Sequence, residues 1–124
     1  MRLNQVTLAV SDLERSVAFY RRLGLTQIVA DEGYARFECP DGNSTLSLER
    51  AGTVAPSGVT VYFECDDLDT AVAGLEAAGV TFEQGPVDQP WLWREARLRD
   101  PDGHALCLFH AGENRLNPPW RLPG

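Results

Sequence analysis

An α+β fold is predicted, built from two tandem βαβββ modules that form a cupped mixed sheet with the helices on its outer face. Three observations predict it. The chain matches itself: LAVSDLERSVAFYRRLGLT from Leu8 lies over FECDDLDTAVAGLEAAGVT from Phe63, a shift of 55 residues, pairing Asp12 with Asp67, Leu13 with Leu68, Val17 with Val72 and Gly24 with Gly79. YARFECPDG from Tyr34 lies over EARLRDPDG from Glu95 at a shift of 61, so the second copy holds six extra residues around QGPVDQPWLWR. In each copy the apolar period begins at two, lengthens to a helical period, and then gives way to short β-type runs. Two copies are too few for a solenoid, so the reading is one duplicated domain.

Val6, Leu8 and Val10 alternate with Gln5, Thr7 and Ala9, which makes the first strand. Ser11, with Glu14 three positions on, has the form of a capping box and is expected to start a helix. Leu13, Val17, Tyr20 and Leu23 share one face of that helix, and Gly24 supplies the left-handed residue that ends it. The second copy repeats the pattern. Val59, Val61, Phe63 and Cys65 are on the strand, Asp66 is the expected cap, Leu68, Val72 and Leu75 are on the helix, and Gly79 is at its end. Turn signals follow at Asp31-Glu32-Gly33, Asp41-Gly42, Gly85-Pro86 and Asp102-Gly103. The single domain is expected over residues 1–112, with module 1 at about 2–50, a linker at 51–57 and module 2 at about 58–111. Residues 113–124, which contain three prolines, read as an extended tail.

Composition narrows the function. The chain has 124 residues, 44% of them hydrophobic, which suits a single globular domain. Eleven basic residues against 18 acidic ones leave a net charge of −7, which disfavours nucleic acid and anionic membranes as partners and favours a neutral or cationic small molecule. Three cysteines, Cys39, Cys65 and Cys107, lack the close spacing of a metal or redox pair. With an N-terminus that lacks the pattern of a signal segment, they point to a reduced, cytoplasmic chain.

The strand parity predicts which residues line the concave side. Gln5, Thr7, Ala9, Ser47 and Glu49 face it from the first module, and Thr60, Tyr62, Glu64, Cys107 and Phe109 from the second. Glu49 and Glu64 there would help select a cation. Trp91 and Trp93 lie in the insertion and Trp120 in the tail, and each brings a large apolar ring able to stack on a planar or cationic group. Glu95 and Arg97 share the parity of Trp93 and either orient a polar substrate or pair with each other. Arg36 is the counterpart of Arg97.

The repeated modules, the segment SDLERSVAFYRRLGL and the segment RDPDGHALCLFH resemble the vicinal-oxygen-chelate superfamily, also called the glyoxalase/bleomycin-resistance/dioxygenase family, over about residues 2–111. The resemblance implies four metal-ligand positions in the family's metal enzymes, filled by His, Gln or Glu. Here those positions are Gln5, Ser47, Thr60 and Cys107, and only Gln5 fits. Glu49 is the other weak metal candidate; His104 and His110 read as surface or strand-end residues. The expectation is therefore a protein of the bleomycin-resistance kind that binds a small organic molecule, planar or cationic, with no metal or other cofactor. The binding residues are Gln5, Thr7, Ser47, Glu49, Thr60, Tyr62, Trp93, Arg97, Cys107 and Phe109. The alternative is a metal-dependent lyase, isomerase or dioxygenase resembling glyoxalase I, with a divalent ion held by Gln5 and Glu49. The resemblance also implies a homodimer.

Overall fold

A computed structural model describes residues 1–124. The chain forms two compact units. The first comprises residues 1–57 with the turn Asp100–Gly103, and the second comprises residues 58–99 and 104–124.

In the first unit, β1 (Gln5–Val10), α1 (Leu13–Leu23), β2 (Thr26–Asp31), β3 (Tyr34–Glu38) and β4 (Thr45–Arg50) follow in order. The sheet order is β1-β4-β3-β2, with β1 parallel to β4 and the remaining pairs antiparallel. Helix α1 covers one face. Val10, Tyr20, Phe37, Leu46 and Leu48 are buried there, Val10 with the apolar parity of the first strand and Tyr20 from the apolar face of the helix. The other face presents Gln5, Thr7 and Ala9 beside Thr45, Ser47 and Glu49, in register.

The second unit repeats this plan with β5 (Thr60–Glu64), α2 (Leu68–Ala77), β6 (Gln84–Asp88), β7 (Arg94–Arg99) and β8 (Ala105–His110), in sheet order β5-β8-β7-β6. Leu68, Val72, Ala96, Leu98, Leu106 and Leu108 are buried. Two four-stranded mixed sheets, each with one helix, are the α+β, twice-βαβββ architecture expected from the repeat.

Four local expectations need correction. The cap of α1 is Asp12, which accepts from the Arg15 backbone N–H at 3.0 Å, because the Ser11 hydroxyl and N–H are taken up by the Asp102 carboxylate. Asp67, not Asp66, caps α2. It accepts the Thr70 N–H at 3.1 Å and hydroxyl at 2.8 Å, and these bonds hold its carboxyl below the usual range.

Gly85-Pro86 is not a turn but lies inside β6, where the register shifts between Gln84 and Val87. An edge strand tolerates a residue without an N–H, and the bulge absorbs the irregularity. The chain reverses instead at Gln89–Leu92, where the Leu92 N–H donates to the Gln89 carbonyl and Leu92 takes φ +67°. That left-handed conformation costs a leucine roughly 1–2 kcal/mol. The tail is not wholly extended, since Gly112–Arg115 forms one 3-10 turn. No helix is long and apolar enough to cross a membrane.

Candidate binding faces and their relatives

On the open face of the second sheet three rings meet. Trp93 stacks on Phe109 with centroids 4.6 Å apart and planes 17° from parallel. Tyr62 stands nearly perpendicular to both, 6.0 Å from Trp93 and 5.6 Å from Phe109, and 45% of it is open to water. Local sequence explains the meeting. Tyr62 pairs with Cys107 and Glu64 with Phe109 in the parallel β5–β8 register, so Tyr62 and Phe109 are diagonal neighbours on one face. Trp93 is delivered by the strained turn at Leu92 and packs on a buried cluster of Cys107, Phe109 and Ala111.

Charge lies beside the rings. Glu95 is only 1% exposed; it accepts the Trp91 indole N–H at 2.8 Å and an Arg97 N–H at 2.7 Å. Arg97, whose side chain is 33% exposed, also lies over the Tyr62 ring with its guanidinium carbon 5.6 Å from the centroid. Of the two expectations for this pair, the residues do bind each other, and the guanidinium keeps an accessible edge. Burial pushes the Cys107 thiol up to about 11, partly countered by Arg97, so it is a neutral, unreactive group near pH 7. None of the three cysteines is in a disulfide.

Glu64 does not serve the face as an open charge. Its Oε2 accepts the N–H groups of Ala111 and Gly112 at 2.8 and 3.0 Å, and Arg115 lies 3.6 Å from Oε1. The carboxylate thus secures the start of the 3-10 turn. An open groove of about 490 Å³ is lined by Asp88, Gln89, Leu92, Trp93, Arg94 and Asn114 among others. Of the expected site residues it touches only Trp93.

On the open face of the first sheet several polar groups bind one another. The Thr45 hydroxyl donates to the Gln5 side-chain carbonyl at 2.8 Å. Ser47, fully buried, is 2.7 Å from the Tyr34 hydroxyl, which in turn accepts from Arg36 Nε at 3.0 Å. These two bonds, Ser47 first, draw the Tyr34 phenol below its usual pKa. Thr7 faces Ser47 in register, and Glu49 is exposed near the strand end. Thus Gln5, Thr7, Ser47 and Glu49 share one face, while Thr60, Tyr62, Trp93, Arg97, Cys107 and Phe109 share the face of the other sheet.

Two participants are absent from the set of binding residues that strand parity and resemblance select. Tyr34 has one sequence signal, its alignment with Glu95, which marks it as a position on the open face. Trp91 is marked in the sequence only as a ring of the insertion, and folding alone brings its N–H to Glu95.

Residues 2–108 match the family described as the Glyoxalase/Bleomycin resistance protein/Dioxygenase superfamily. The chain belongs to this superfamily. It is 33% identical over 124 aligned positions to the glutathione transferase FosA of Serratia marcescens, covering 89% of this chain and 80% of that protein. Among solved structures, a glyoxalase/bleomycin resistance protein/dioxygenase from Nocardioides superposes with a TM-score of 0.78 at 28% identity, covering 99% of this chain and 90% of the other. The bleomycin resistance determinant encoded on transposon Tn5 superposes at 0.74 with 25% identity, covering 89% and 98%.

In this superfamily member the four positions Gln5, Ser47, Thr60 and Cys107 do not fit the donor set of a divalent metal. Gln5 already receives a hydrogen bond at its carbonyl, the Ser47 hydroxyl is bound to Tyr34, Thr60 offers only a neutral hydroxyl, and burial keeps the Cys107 thiol protonated. Gln5 and Glu49 are four residues apart along the paired strands, roughly 13 Å between Cα atoms, so they do not form a compact pair. No three His, Cys, Asp or Glu side chains are grouped to hold a metal ion.

Proposed function

We propose that this superfamily member binds a small organic molecule, planar or cationic, against the aromatic face of its second sheet and does so without a resident metal. The stacked Trp93 and Phe109 with the perpendicular, half-open Tyr62 carry the proposal. Such rings offer a flat molecule stacking area, and their faces attract cations. The cationic option rests on the rings and not on Glu64, whose carboxylate is committed to the 3-10 turn. Arg97 and Glu95 at the edge of the rings would orient polar substituents. The donors Gln5, Ser47, Thr60 and Cys107 give no support to a metal-dependent lyase or dioxygenase.

We further propose that residues 1–112 act as one binding domain, that the chain works as a homodimer, and that it operates in the reducing cytoplasm, in keeping with three cysteines that form no disulfide. Tryptophan fluorescence and thermal-shift titration with a panel of planar neutral and planar cationic compounds tests the binding. Saturable quenching with a raised melting temperature is expected, and silence across the panel overturns the reading. Stoichiometric Zn, Ni, Mn or Fe in protein purified without chelator would overturn the metal-free part. A monomer mass in light scattering would remove the homodimer.

A further inference from the structure

The internal repeat places Tyr34, Ala35 and Arg36 of β3 on Glu95, Ala96 and Arg97 of β7. Each arginine stands on the open face of its own sheet, opposite Ser47 in one and Cys107 in the other. In the second unit the residue two positions earlier is a carboxylate, and Glu95 accepts from Arg97 at 2.7 Å. In the first unit that position is Tyr34. Arg36 donates through Nε to the Tyr34 hydroxyl and lies 5.4 Å from the ring centroid, and no Asp or Glu oxygen is within 4.0 Å of it. The other half-buried arginines are both matched, Arg94 by Asp69 and Asp88 and Arg97 by Glu95. Arg36 is therefore a partly desolvated cation whose counterpart in the same fold shows what would satisfy it.

We propose that Arg36, held in place by Tyr34, is an oxyanion-binding site of the first unit, in which a carboxylate or phosphoryl group of a small molecule supplies what Glu95 supplies to Arg97. The guanidinium has five N–H donors and Tyr34 takes one, so four remain, including the pair suited to a bidentate oxyanion. Its orientation is prepared, because the Tyr34 hydroxyl is anchored on the buried Ser47 at 2.7 Å. The net charge of −7 does not prevent this, since exposed carboxylates such as Glu49 are screened by water and salt, whereas a direct charged hydrogen bond is screened much less. The site uses residues of the first unit and the aromatic face uses residues of the second, so either proposal can fail without the other.

The test follows the Arg36 Nε signal by NMR while benzoate, inorganic phosphate or the neutral control benzamide is added to the full chain. A saturable shift with an anion and none with benzamide is expected, and the tighter of the two anions identifies the ligand group. Arg36→Gln, which removes the reporting group and is therefore compared with the wild type by calorimetric titration of the same anions, should weaken binding at least tenfold. Tyr34→Glu, which copies the second unit, should abolish it by supplying an internal carboxylate, with circular dichroism confirming the fold; should that variant not fold, Arg36→Gln alone decides the outcome. Exposed Arg22→Gln should bind as the wild type does. Absence of a saturable shift, equal response to benzamide, or undiminished binding in Arg36→Gln overturns the proposal.

Discussion

Tyr20 donates its hydroxyl hydrogen to Asp100 Oδ2 at 2.7 Å, joining two buried side chains that are 80 positions apart in the chain. The other Asp100 oxygen accepts the Asp102 N–H at 3.0 Å, so the carboxylate is held from both sides. Burial first, and then the neighbouring Asp100 charge, push the Tyr20 phenol far above its ordinary pKa, so it remains a donor at every physiological pH. Tyr20→Phe keeps the ring that packs near Phe37 but leaves a buried carboxylate one partner short. A loss of about 1–3 kcal/mol is expected, read as a lower urea midpoint with an unchanged slope. An unchanged midpoint would show that the bond adds nothing.

Glu95 is the corresponding buried charge on the second sheet. Glu95→Ala removes the acceptor of both Trp91 and Arg97 and should destabilise the chain by about 1–3 kcal/mol, less than for a fully buried ion pair because Arg97 is partly solvated. Trp91 loses its tether in the same variant. Thermal unfolding measures the first effect, and a red shift of tryptophan emission reports the second.

Trp93→Ala removes half of the stacked pair. Affinity for a planar compound should fall roughly 3- to 10-fold, matching the 0.5–1.5 kcal/mol of an aromatic pair, whereas Trp93→Phe should recover most of it. Calorimetric titration of the three proteins with one compound from the planar panel checks this. Equal affinities would place the ligand elsewhere.

Cys107 makes stability depend on alkaline pH. Its folded pKa of about 11 exceeds the usual 9.0, so above pH 9 the unfolded chain releases its proton more readily than the folded one. The associated stability is complete below pH 9 and is lost as pH rises through 11, a change on the order of 2–3 kcal/mol for two pKa units. Urea midpoints from pH 8 to 11 should fall more steeply for wild type than for Cys107→Ala. Parallel profiles would contradict the shift.

Short-range patterns made most of the fold legible. Leu8, Val10, Leu46 and Leu48 alternate because a strand must turn every second side chain to the helix-covered face, and the repeat then carried the same plan to Leu106 and Leu108. Gly24, at φ +110°, was legible as a stop because it has the left-handed conformation that glycine takes without a Cβ penalty. Gly85-Pro86 was misleading, since those residues also suit a bulged edge strand, and only pairing with β7 distinguishes the two.

Alternation, duplication and turn chemistry act over a few residues, and they were sufficient for the two βαβββ modules and for the faces of β1, β4, β5 and β8, though not for β6. Partnerships were not sequence-local. Ser11 and Asp12 can each cap a helix, and the Asp102 carboxylate, 91 residues from Ser11, takes up the serine. Glu64 had the parity of a ligand-facing charge, yet it is bound by the backbone of Ala111 and Gly112. The net charge of −7 counts such carboxylates without regard to their neighbours. Folding decides which charges are matched, because hydrogen bonds and ion pairs depend on distances of a few ångströms between residues far apart in the chain. The pairs Arg97–Glu95 and Arg36–Tyr34 are the exception, because residues two apart on one strand share a face and the sequence alone sets them side by side.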